Sequence, residues 1–131
     1  MRASQDFKIA DRLVGPGNAP FVIAEMSGNH NQSLDRALQI VEAAGEAGAH
    51  ALKLQTYTAD TMTLDVDMPG FRIDDAKSLW AGASLYQLYE QAHTPWEWHA
   101  PIFARARELG MIPLRAWNRK TLRGMLRMVF G

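Results

Sequence analysis

The chain has 131 residues, 47% of them hydrophobic, and fourteen lysine and arginine residues balance fourteen aspartate and glutamate residues. That describes one soluble globular domain or a piece of one, and the zero formal charge excludes both the basic excess of a nucleic-acid-binding protein and the acidic excess of a disordered chain. The absence of cysteine removes disulfides and thiolate metal sites, and no stretch resembles a signal peptide or approaches ~18 uninterrupted apolar residues, so a cytoplasmic protein with no nucleic-acid and no membrane partner is expected. Phe7 to Val14 alternates imperfectly around Ala10-Asp11 and runs into Gly15-Pro16-Gly17-Asn18, which predicts a short hairpin and a turn. Gly15-Pro16-Gly17 lacks the strand and helix that a dinucleotide fingerprint requires.

Phe21-Val22-Ile23-Ala24 reads as a strand buried on both faces that feeds a polar loop, Glu25 to Asn31. Ser33 is a good N-cap, apolar residues recur at Leu34, Ala37, Leu38, Val41, Ala44 and Ala47, and Gly48 suits the position after a helix. Ala49 to Gln55 reads as a second strand, so residues 21–55 form a strand, helix, strand unit long enough for a parallel crossover. Residues 58–83 carry Pro69, Gly70 and Gly82 without a clean period, and an ordered excursion of that length usually serves a site. Ser84 with Gln87 starts a short helix. Thr94-Pro95-Trp96-Glu97 has the form of a capping box with proline at the first helical position, ahead of Ile102, Phe103, Ala106 and Leu109, and Gly110 ends that helix. Met111-Ile112 begins a third strand. Strands alternating with helices predict an α/β fold with a parallel sheet and active residues at the strands' carboxyl ends.

Alternation along a strand places Phe21, Ile23 and Glu25 on one face, and Ala51, Lys53 and Gln55 on one face of the next strand. Lys53 there is suited to hold a phosphate or carboxylate, and Glu25 to position water or move a proton. A Lys53–Glu25 ion pair that merely satisfies two partly buried charges fits the spacing equally well. Ser27-Gly28-Asn29-His30-Asn31 suits a polar ligand such as a sugar, or an ordinary hydrogen-bonded turn. His30 has no second histidine at metal spacing, which favours a structural or substrate-contacting role, and Trp80, Trp96 and Trp98 read as core or subunit-contact residues.

The stretch Phe21-Val22-Ile23-Ala24-Glu25-Met26-Ser27-Gly28-Asn29-His30-Asn31 resembles the first strand and loop of the sialic acid synthase family. Leu52 to Thr63, Ser84 to Tyr89 and Thr94 to His99 resemble the pseudaminic acid branch of that family, and the likeness covers about residues 5–112. It implies the N-terminal portion of a (β/α)8 TIM barrel, incomplete here, from an enzyme that condenses phosphoenolpyruvate with a diacetamido sugar, 2,4-diacetamido-2,4,6-trideoxy-altrose. In that family C3 of phosphoenolpyruvate attacks the open-chain aldehyde, water adds at C2 and phosphate leaves by C–O cleavage. The resemblance also implies a small C-terminal antifreeze-like domain, a domain-swapped homodimer and a divalent metal, manganese or magnesium, whose ligands lie outside this chain. Position by position, it assigns Lys53 to phosphoenolpyruvate, Gln55 and Asn29 to the polar pocket, and Glu25 to orienting or deprotonating at the reacting centre; His30 is a weaker substrate-binding assignment.

After Met111-Ile112-Pro113 the likeness stops. Residues 111–131 hold five basic residues and no acidic one. The expected division is therefore 1–112 as the N-terminal part of the synthase barrel and 113–131 as a divergent basic tail, from a frameshift or truncated reading frame, or forming a basic amphipathic helix on Leu122, Met125, Leu126 and Val129. A barrel of this class needs about 200 to 250 residues, so about three of eight strands are expected here, in an isolated chain that is poorly soluble, inactive and without metal binding. An N-acetylneuraminate or legionaminic acid synthase fragment and a non-catalytic sugar- or partner-binding protein are the alternatives.

Overall fold

The structure, a computed structural model, describes residues 6–78 and 80–116. The expectations about residues 117–131, the amphipathic helix among them, lie outside the described residues. Strands β1 (Phe7–Ile9) and β2 (Arg12–Val14) form the antiparallel hairpin that the alternation predicts, with Ala10 at φ 51° in its turn. The turn after it closes through the Asn18 N–H, which donates to the Gly15 carbonyl at 3.0 Å.

Strands β3 (Ile23–Met26), β4 (Ala51–Gln55) and β5 (Ile112–Ala116) make a parallel sheet in the order β3-β4-β5. Helix α1 (Leu34–Glu46) crosses from β3 to β4, with the Ser33 hydroxyl accepting from the Arg36 N–H at 3.2 Å and Gly48 at φ 82° after its end. The excursion holds a single helical turn, α2 (Ala59–Met62), before α3 (Leu85–Ala92), whose Ser84 and Gln87 form a reciprocal capping box. Helix α4 (His99–Glu108) then leads to β5. Helices α1 and α4 pack on one face of the sheet, and Met26, Ala37, Val41, Leu52, Leu54, Ile102, Ala106 and Met111 form the core between. No helix among the described residues is long and apolar enough to cross a membrane.

Two expectations are corrected. Burial of the first strand on both faces does not hold: β3 starts two residues later than expected and runs through Glu25 to Met26. Ile23 is 46% exposed. Among the described residues only the face carrying Met26 is covered by helices, so burial alternates instead of running on. The helix after Thr94 is not capped by Thr94. A 3-10 turn, Trp96–Trp98, intervenes and α4 begins at His99, because the buried Thr94 hydroxyl is engaged by His30 across the fold. The third strand expected from Met111-Ile112 is present, running from Ile112 through Pro113 to Ala116 and paired with β4 along its length.

Candidate functional site

The parallel register places Glu25 opposite Lys53 and Ile23 opposite Ala51. Side chains alternate, so while Met26, Leu52 and Leu54 enter the core, Glu25, Lys53 and Gln55 stand on the sheet's other face at or near the strands' carboxyl ends. The three are in contact. The Lys53 ammonium lies 2.5 Å from Glu25 Oε2, and Gln55 Nε2 donates to Glu25 Oε1 at 2.6 Å. The ion pair admitted from spacing thus exists, but its side chains are 35% and 41% exposed, open to solvent and to a ligand. Hydrogen bonds from Lys53 and Gln55 hold the Glu25 carboxyl below its ordinary range, so it is ionised at neutral pH and acts first as an acceptor. An anion that draws Lys53 away would return basicity to Glu25.

Asn29 is exposed in the 3-10 turn Gly28–His30 that follows β3. Gly28 is required there, since a Cβ would sit 2.8 Å from the Ala92 carbonyl oxygen. His30 points the other way, fully buried, and is not brought together with Glu25, Lys53 and Gln55. Its Nδ1 accepts from the Gln32 N–H at 3.2 Å, which leaves the proton on Nε2 to be donated to Thr94 Oγ1 at 3.1 Å, and its ring meets the edge of Trp98. His99 is its counterpart with the opposite tautomer. Its Nδ1–H faces the Pro95 and Trp96 carbonyls, each at 3.2 Å, so Nε2 accepts from the Thr56 hydroxyl at 2.8 Å. Sequence reasoning gave Thr56, Thr94 and His99 no role in the site. The available signal was helical phase: His99, Ile102 and Ala106 lie on one face of α4, and all three are buried.

Burial lowers the pKa of both histidines; for His30 the neighbouring His93 adds to this, and for His99 Arg115 adds while the two carbonyls and Glu97 oppose. A depressed histidine pKa means that the unfolded chain binds more protons in acid. The stability held by these neutral rings is therefore complete above about pH 6.5 and is lost as pH falls through the folded values. The unfolding free energy, and the thermal midpoint with it, is expected to be flat from pH 8 to 7 and to drop below about 6.5, the free energy by at most ~1.4 kcal/mol per pH unit for each histidine. The double substitution His30→Asn, His99→Gln should flatten that drop, and an unchanged profile would contradict the assignment.

Among the described residues no group of three or more histidine or carboxylate side chains converges to hold a metal, so the divalent ion implied by the resemblance finds no fitting ligand set here. A model of the NeuB family matches residues 40–127. Over 92 residues the chain is 49% identical to the pseudaminic acid synthase of Campylobacter jejuni subsp. jejuni serotype O:2, covering 70% of this chain and 26% of that protein. It thus spans about a quarter of the length of such curated relatives. Among solved structures, the spore coat polysaccharide biosynthesis protein SpsE of Bacillus subtilis superposes with a TM-score of 0.61 at 30% identity, over 95% of this chain and 31% of that one. The N-acetylneuraminic acid synthetase of Leptospira borgpetersenii serovar Hardjo-bovis, at 21% identity, shares the fold with a TM-score of 0.67 over 97% of this chain and 39% of its own. With a family match over most of its length, the chain belongs to the NeuB family.

Proposed function

We propose that this chain supplies the phosphoenolpyruvate-binding part of the substrate site of a pseudaminic acid synthase, whose acceptor is 2,4-diacetamido-2,4,6-trideoxy-altrose. The observation that carries the reading is the contact of Glu25, Lys53 and Gln55 on the open face of β3 and β4. A cation flanked by an amide donor is what a phosphate or carboxylate requires, and a carboxylate beside them can align the group that attacks.

In the proposed reaction the C2=C3 electron pair of phosphoenolpyruvate forms a bond to the sugar's aldehyde carbon, whose oxygen takes up a proton. Water then adds at C2, and phosphate departs with the C2–O bond electrons. Lys53 would neutralise the phosphoenolpyruvate anion. Gln55 would share its amide between Glu25 and substrate, and Glu25, relieved of Lys53, would orient or deprotonate at the reacting centre. Asn29 would contribute from the turn after β3. The chain by itself is read as binding without turnover.

A titration of the 15N-labelled chain with phosphoenolpyruvate tests this. Resonances of Glu25, Lys53 and Gln55 should move together, and 2,4-diacetamido-2,4,6-trideoxy-altrose should strengthen binding where N-acetylmannosamine does not. If phosphoenolpyruvate leaves all three resonances in place, the reading fails.

A further inference from the structure

The strand ladder of β4 ends at Gln55, and the next residue, Thr56, is buried with its hydroxyl on His99. On the neighbouring strand, β3 ends at Met26, and four residues later His30 is bound to Thr94. The two bonds bridge 43 and 64 residues of sequence, and both land on the one segment, Thr94 to His99, that precedes α4. All four groups are at most 6% exposed.

Packing alone does not call for them. Valine in place of threonine and an apolar ring in place of histidine would fill similar volumes without desolvating polar groups. A buried hydrogen bond instead fixes a position, because its strength falls off steeply with distance and angle whereas apolar contacts slide. Both rings are committed on their other nitrogen too, His30 to the Gln32 N–H and His99 to two carbonyls, so neither can turn. The turn after β3 carries a second restraint. Asn31 and Gln32 both adopt left-handed backbone, φ 49° and 55°, which costs of order 1 kcal/mol each unless the surroundings impose it. The Gln32 side chain does so by donating to the Gln91 and His93 carbonyls at 2.5 and 2.8 Å.

We infer that His99 and Thr56 are positioning residues for Gln55 and Lys53, taking over where the strand ladder stops, and that His30 and Thr94 hold the turn after β3 to the same segment. The inference rests on the reading of Lys53 and Gln55 as substrate groups given above. The charged and titratable groups around the two rings are Arg115 and Glu97 for His99, and His93 for His30.

The test uses the full 131-residue chain and two reporters. The first is the side-chain amide of Gln55, which is bound to Glu25. The variant Thr56→Val should shift or broaden it and weaken phosphoenolpyruvate binding about tenfold, the effect of one net hydrogen bond, while Thr56→Ser should restore both. The second is the imidazole 1H–15N correlation of the unmodified chain, which should show His30 protonated at Nε2 and His99 at Nδ1. A folded Thr56→Val with an unaltered Gln55 amide overturns the inference, as does an Nε2–H tautomer at His99 should that variant not fold. If phosphoenolpyruvate binds no form of the chain, the substrate reading fails alone, and the Gln55 amide still decides whether Thr56 positions it.

Discussion

Replacing Lys53 with alanine is expected to weaken phosphoenolpyruvate binding about 100-fold or more while leaving the unfolding midpoint where it is. The two effects separate because both side chains of the pair are more than a third open to solvent, at 35% and 41%, and exposed ion pairs contribute little to stability. Toward a multiply charged anion the same ammonium is, among the described residues, the cation in contact with Glu25 and, through it, with Gln55. Its removal also leaves the Glu25 carboxylate facing the ligand's negative charge, so a lost attraction is joined by a repulsion, as in charge-pair deletions at interfaces. Glu25→Gln is the informative companion. It frees Lys53 and should bind phosphoenolpyruvate at least as tightly as the parent. A pair that served only to satisfy two charges would leave both variants with the parent's affinity, whatever that is, and calorimetric titration of the three proteins distinguishes the cases.

Leu54→Ala should damage folding severely. Leu54 is fully buried in β4 and packs in the cluster that joins the sheet to α1 and α4. Deleting its three carbons removes transfer free energy and leaves a cavity that the parallel ladder on either side prevents from closing, at a cost of ~2–5 kcal/mol. Domains of this size are stable by only about 5–15 kcal/mol, so the urea midpoint should fall by a large fraction of its value. Leu64, 63% exposed in the excursion, is the control, and its alanine variant should lie within about 0.5 kcal/mol of the parent.

Most of the local structure could be read from the chain because local chemistry decides it. Ser33, Ser84 and Gly48 mark helix ends through bonds and backbone angles that need no tertiary partner, and each does so in the structure. The facing of Glu25 and Lys53 also followed from sequence, since the period of two fixes which side chains share a face once the strands are parallel. What escaped was set by distant contacts. Thr94 has every local feature of a cap, yet a histidine 64 residues away claims its hydroxyl. The apolar run at Phe21 suggested a strand covered on both sides, but which face receives helices depends on where α1 and α4 lie and not on the run itself. For His30, the same Asn-His pair that suggests a polar loop serves equally well to bury one residue and expose the other. Composition cannot say which, and only the turn's geometry does.

The exposure of Ile23 beside Glu25, Lys53 and Gln55 has a consequence for how strongly this site can hold a charge. While water covers that face the effective dielectric there is close to the bulk value of about 80, and charges attract feebly across it. Anything that displaces the water, the apolar parts of a bound ligand included, moves the local value toward about 20 and multiplies each Coulombic attraction roughly fourfold. The first ligand group to arrive therefore strengthens the hold on the next, so under the proposed function the two substrates should bind each more tightly in the other's presence, without any movement of the sheet.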